Sequence, residues 1–122
     1  MTVTTDVNRA PRVSERVALA LVAQRAIAEM PGVRATSGPS GRWRTVGSQQ
    51  IIPGVLAAES GAGRIDVELH LVALWPLQGS FEELAEQLRA RLRRAAATAG
   101  MGARLGAVAV AFDDVLTDGE RT

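Results

Sequence analysis

The sequence predicts an α+β fold. It reads as a two-layer sandwich: one mixed sheet of three to four strands with two helices on one face, in the order α-β-β-β-α-β. Three observations carry this. In residues 64–75, Ile65, Val67, Leu69, Leu71 and Ala73 alternate with Asp66, Glu68, His70 and Val72. A period of two means a strand with one buried face and one wet face. Ser80-Phe81-Glu82-Glu83 is a capping box, and after it Leu84, Leu88, Leu92, Ala95 and Ala99 recur with Phe81 at three- or four-residue spacing. That is the apolar stripe of an amphipathic helix. Finally, Val108, Val110 and Phe112 alternate with alanines 107, 109 and 111. The strand, helix and strand from residue 64 onward therefore form a βαβ unit, expected to cross over right-handed.

The elements follow in order. Residues 1–13 (MTVTTDVNRAPRV) are polar and aperiodic and read as a flexible tail. Ser14 is an N-cap and Glu15 suits the positive end of a helix. This first helix spans about 15–29, and Pro31-Gly32 stops it. Residues 33–37 are a short first strand. Residues 38–54 contain Gly38, Pro39, Gly41, Gly47, Pro53 and Gly54, which makes a long loop with room for a short strand over 43–46. Residues 55–59 are the next strand, and Gly61-Ala62-Gly63 turns the chain into the strand 64–75. Pro76 ends that strand. The second helix, 81–99, stops at Gly100, and 104–115 is the last strand. One domain thus covers 14–116, with a C-terminal tail at 117–122.

The 122 residues fit one domain, and an apolar content of 47% sustains a core. Without cysteine there are no disulfides and no thiolate metal sites. The longest apolar run, residues 17–23, is far shorter than the about 20 residues that span a bilayer. It carries no signal-peptide cleavage pattern after it, so the expected location is cytoplasmic. Fourteen basic residues, all arginine, stand against 13 acidic ones for a net charge of +1. That balance gives no strong field to steer nucleic acid.

Candidate chemistry is sparse. Asp66, Glu68 and His70 share one strand face, but Asp66 and His70 lie about 13 Å apart along it. An ion contacted at about 2 Å cannot gather all three, so the face is read as solvated. His70 is the single histidine, and no serine sits in a G-x-S-x-G elbow. The expectation is no catalytic residue, no cofactor, no metal and no enzymatic activity. Gly38-Pro39-Ser40-Gly41 has the letters of a GxxG nucleic-acid clamp, but a strand precedes it and no helix follows. Beside it, Arg42, Trp43 and Arg44 pair positive charge with a ring that suits base stacking or a protein hot spot. Arg89, Arg91, Arg93 and Arg94 make the second helix basic, with Arg89 and Arg93 sharing a face with Glu82 and Glu86.

The first helix is more apolar than a two-layer domain requires. Leu19, Ala23, Ala26, Ile27 and Met30 fall on one broad side of its wheel, Val17 and Leu21 nearly opposite, and Val22 on a third flank. Exposed apolar surface marks interaction sites. The candidate partner interface is therefore Val17, Leu19 and Leu21 together with Arg42, Trp43 and Arg44, with either side of the helix a candidate for facing outward.

Three stretches also occur in a distinctive order. They are residues 22–33, a helix closing on Pro31-Gly32-Val33; the strand "R-I-D-V-E-L-H-L-V" from Arg64; and the capped helix from Phe81, followed by a glycine break and "A-V-A-V-A-F-D-D-V". Over 14–116 this resembles the alkaline shock protein family, the envelope stress response family of Gram-positive bacteria. The resemblance implies a non-catalytic scaffold or adaptor in cell-envelope homeostasis that works through protein–protein contacts. It implies self-assembly or pairing with a related paralogue, and retention at the inner face of the membrane by a separate membrane-anchoring protein. The chain departs from the family pattern in the long, Arg-Trp-containing loop 38–53 and in Leu74-Trp75-Pro76. The second reading is a small nucleic-acid-binding domain that uses the Arg-Trp-Arg loop and the arginine-rich helix.

Overall fold

The computed structural model describes residues 14–47 and 49–117. The expected tail 1–13, and the expected tail 117–122 beyond Thr117, lie outside the described residues. Helix α1 is Glu15–Ala28, opened by Ser14, whose hydroxyl oxygen accepts from the Val17 N–H at 3.2 Å. The chain continues through β1 (Val33–Ala35), β2 (Arg44–Val46), β3 (Ile51–Pro53), β4 (Val55–Glu59) and β5 (Ile65–Leu74). Helix α2 (Phe81–Thr98) and strand β6 (Leu105–Leu116) complete it.

Strand β5, the alternating one, is the axis of a four-stranded mixed sheet. Strand β6 runs parallel along one edge of β5, as the β5–α2–β6 unit requires. Strands β1 and β4 lie antiparallel, end to end, along the other edge. Where they meet, His70 N–H donates to Gly54 O at 2.8 Å and His70 O accepts from Thr36 N–H at 2.9 Å. The edge is therefore continuous in hydrogen bonding, and residues 37–53 loop out of it as an insertion. This is the expected α+β class, with the helices and main strands in the expected order.

The insertion differs from the loop read from sequence. Strand β3 was not foreseen; it pairs with β2 as a separate two-stranded sheet, from Arg44↔Pro53 to Val46↔Ile51. Thr45 and Ile52 face inward and are buried. The Thr45 hydroxyl donates to Val55 O at 2.6 Å and accepts from Ala57 N–H at 3.0 Å. One side chain thus stands in for a neighbouring strand on the outer edge of β4, satisfying backbone groups that burial would otherwise leave unpaired.

Both helices cover the face that carries Ile65, Val67, Leu69 and Leu71, and share one core with it. Helix α1 packs over β1 and β4, and α2 over β6. Leu84, Leu88 and Leu92 are buried as expected; Val108 joins them and Val110 is half-buried. Phe81, at the start of the α2 stripe, stays partly exposed and packs on the Phe112 ring at 4.9 Å. The capping box is formed: Glu83 N–H donates to Ser80 Oγ at 3.0 Å, and Ser80 N–H donates to Glu83 Oε1 at 2.8 Å. The backbone N–H of Ser80, then its hydroxyl, hold the Glu83 carboxyl below its ordinary range. Arg89 and Arg93 do more than solvate a helix face. They donate to Val108 O at 2.9 Å and Gly106 O at 3.2 Å, which covers part of the edge strand β6. No helix among the described residues is long and apolar enough to cross a membrane.

Candidate functional site

The sheet face turned away from the helices corrects one sequence expectation. His70 is not solvated; it is 6% exposed. Two distant segments and a neighbour on its own strand surround it. The Trp43 indole, on the insertion, stacks on the imidazole with centroids 4.2 Å apart and planes 9° from parallel. Between Leu71 and Val72 the pairing of β5 with β6 slips, and the unpaired residue on β6 is Asp113. This bulge brings an Asp113 carboxylate oxygen 2.9 Å from His70 Nδ1, while Glu68 reaches Nε2 from two residues away on the same strand. Each ring nitrogen faces a carboxylate oxygen, so whichever carries the proton has an acceptor.

Asp66 stays apart, as its spacing demanded. Its carboxylate accepts from Ala107 N–H at 2.9 Å at the other irregularity of the β5–β6 pairing. Among the described residues, no group of three or more His, Asp or Glu side chains is placed to hold a metal ion.

The Gly-Pro-Ser-Gly sequence has a local structural role. Gly38 has φ +83°, and a Cβ there would lie 2.6 Å from Trp43 Cε3. Gly41 N–H closes the turn onto Gly38 O at 3.1 Å. The turn lets the backbone pass against the indole while the indole rests on His70. Trp43 is thereby engaged inside the chain and has one ring face already stacked, which leaves it poorly placed as a platform for a base. Its neighbours Arg42 and Arg44 are exposed, with local bonds to Ser40 Oγ at 3.3 Å and Gly41 O at 3.1 Å. Arg42 and Arg44 thus lie exposed at the surface, while the ring between them in sequence is engaged with His70.

Helix α1 resolves the question of its excess apolar surface. Leu19 is fully buried against the sheet, and Val17 is 5% exposed. The insertion covers Val17: a Cβ on Gly47 would lie 3.1 Å from Val17 Cγ2. Neither residue is available to a partner, which removes Val17 and Leu19 from the expected interface. Leu21 remains, half-buried beside Val22. These two open onto a cleft of about 720 Å³ between α1 and α2. Its floor is apolar, made of Leu21, Val22 and Ala26 from α1 and Ala95 and Ala99 at the end of α2. Its charged lining consists of Arg25, Arg91 and Arg94 with Glu29.

Sequence reasoning found Leu21 and the arginine cluster but did not join them, because which faces of two helices meet depends on how both sit on the sheet. A second exposed apolar feature lies on the insertion, where Val46 and Ile51 form a cross-strand pair, 48% and 62% exposed. It was missed because β3 was read as loop. No family model, curated protein or solved structure matches this chain.

Proposed function

We propose that this protein is a non-catalytic adaptor or scaffold that acts through protein–protein contacts, in the manner implied by its resemblance to the alkaline shock protein family. In that reading it serves cell-envelope homeostasis from the cytoplasm. Its partners are a second copy or a related paralogue, and a membrane-anchoring protein that holds it at the inner face of the membrane. The observation that carries the reading is the cleft between α1 and α2, where an apolar floor is bordered by three arginines. Such a surface suits another chain: the apolar floor would supply burial and the guanidinium groups orientation.

Co-purification from the native cell tests this. Wild type is compared with Arg91→Glu/Arg94→Glu and with Arg42→Glu/Arg44→Glu, each confirmed folded by circular dichroism. The expected result is a stoichiometric protein partner that is lost in the first variant and kept in the second. Recovery of nucleic acid instead, lost in the Arg42/Arg44 variant and steeply weakened by salt, would replace the adaptor with a nucleic-acid-binding domain.

A further inference from the structure

We infer that the occupant of the cleft between α1 and α2 is an amphipathic helix of a protein partner, with carboxylates flanking its apolar stripe. This rests on the adaptor reading and specifies the partner's chemistry.

Charge is the first argument. Arg16, Arg44, Arg89, Arg93 and Arg104 each hold a carbonyl or a carboxylate of their own chain. Of the other described arginines, Arg42 reaches only Ser40 Oγ, and Arg25, Arg34, Arg64, Arg91 and Arg94 hold none; three of these, Arg25, Arg91 and Arg94, gather on one cleft, where Glu29 is the single carboxylate beside them. A guanidinium group presents a planar fork of donors that fits a carboxylate on two bonds. Its aliphatic stem can lie along an apolar floor while the head stays at the rim. The cleft thus offers three free cationic heads to a partner that is apolar in the middle and acidic at its margins.

Shape is the second argument. The lining positions run from Leu21 to Glu29 on one wall and from Arg91 to Ala99 on the other. At 1.5 Å per residue each wall is about 12 Å long, or roughly two helical turns. Helical walls spend their backbone N–H groups internally and leave only a few last-turn carbonyls, so they cannot pair with an extended strand along its length. A strand laid here would bury unpaired N–H and C=O groups. A helix brings its own backbone bonds and needs only side-chain contact, which is the helix-in-groove mode of recognition.

The probes are two synthetic peptides of about four helical turns with the same leucine and alanine stripe. One is flanked by glutamates and the other by lysines. Fluorescence anisotropy on the full chain reads affinity, and amide chemical shifts locate the site. The glutamate peptide is expected to bind about tenfold more tightly than the lysine peptide. Its binding should weaken as salt rises and shift the amides of Leu21, Val22 and Ala95. In Arg91→Glu/Arg94→Glu, which changes exposed or half-exposed positions, the preference should reverse. Equal affinity of both peptides overturns the inference, as does a glutamate preference that the variant leaves intact. So does tight binding of dodecanoate at the same amides with no binding of either peptide, since the site would then take a small anionic amphiphile. If the partner of the co-purification experiment still depends on Arg91 and Arg94 while both peptides bind alike, the acidic helix is wrong and the adaptor reading survives.

Discussion

Replacing Gly38 by alanine tests whether the Gly-Pro-Ser-Gly turn exists to seat Trp43 on His70. Two costs follow from the geometry. Gly38 has φ +83°, and an L-residue in the left-handed region costs about 1–2 kcal/mol. The new Cβ would also lie 2.6 Å from Trp43 Cε3, so the indole must move off the imidazole it stacks on at 4.2 Å. Losing such an aromatic pair costs about 0.5–1.5 kcal/mol. Gly38→Ala should therefore destabilise the fold by roughly 1.5–3.5 kcal/mol, read by urea titration with far-ultraviolet circular dichroism. The near-ultraviolet band of Trp43 should weaken in the native state. Repeating the change in a Trp43→Ala background separates the two terms: there only the backbone cost of about 1–2 kcal/mol should remain. A loss below about half a kcal/mol in the wild-type background, or the same loss in both backgrounds, would refute the role assigned to the turn.

Other perturbations probe the remaining elements. Leu88 is fully buried on the inner face of α2, and Leu88→Ala should cost about 2–5 kcal/mol in a denaturant titration. Val17→Glu and Leu19→Glu should both unfold or strongly destabilise the chain, since each buries an unpaired charge. Leu21→Glu should keep native circular dichroism, because this position opens onto the cleft. Ser80→Ala should cost about 1 kcal/mol by removing the cap of α2. The Glu83 carboxyl titrates below its ordinary 4.5, so its contribution is present above that value and fades as pH falls through the lowered one. The difference in thermal midpoint between wild type and Glu83→Gln should therefore shrink on acidification from pH about 7 to about 3.

Much of the fold was legible because its signals are local. The alternation of β5, the capping box and stripe of α2 and the alternation of β6 each lie within one element, and they fixed the order and the parallel pairing. Strand β3 escaped because Ile51, Ile52 and Pro53 are too short a run to show a period, and proline argues against a strand. Its burial comes from Thr45 and the core, not from its own pattern. His70 escaped for a related reason. Its covers are Trp43, 27 residues upstream, and Asp113, 43 residues downstream and displaced by a bulge. Spacing within β5 correctly separated Asp66 from His70 but said nothing of residues arriving from elsewhere. The breadth of the apolar surface on α1 was readable, while its division among sheet, insertion and cleft was not. Val17 and Leu21 share a side of the wheel, yet one lies under Gly47 and the other opens between the helices.

Site-specific photo-crosslinking bears most directly on whether the cleft is where this protein meets another chain. Benzoylphenylalanine is placed at Leu21, which lines the cleft, and separately at Ala58, exposed on the far face of the sheet, and both proteins are irradiated in the native cell. The adaptor reading predicts one defined polypeptide adduct from position 21, none from position 58, and loss of the adduct when Arg91→Glu/Arg94→Glu is added. No polypeptide adduct at position 21, or the same adducts from both positions, would contradict it.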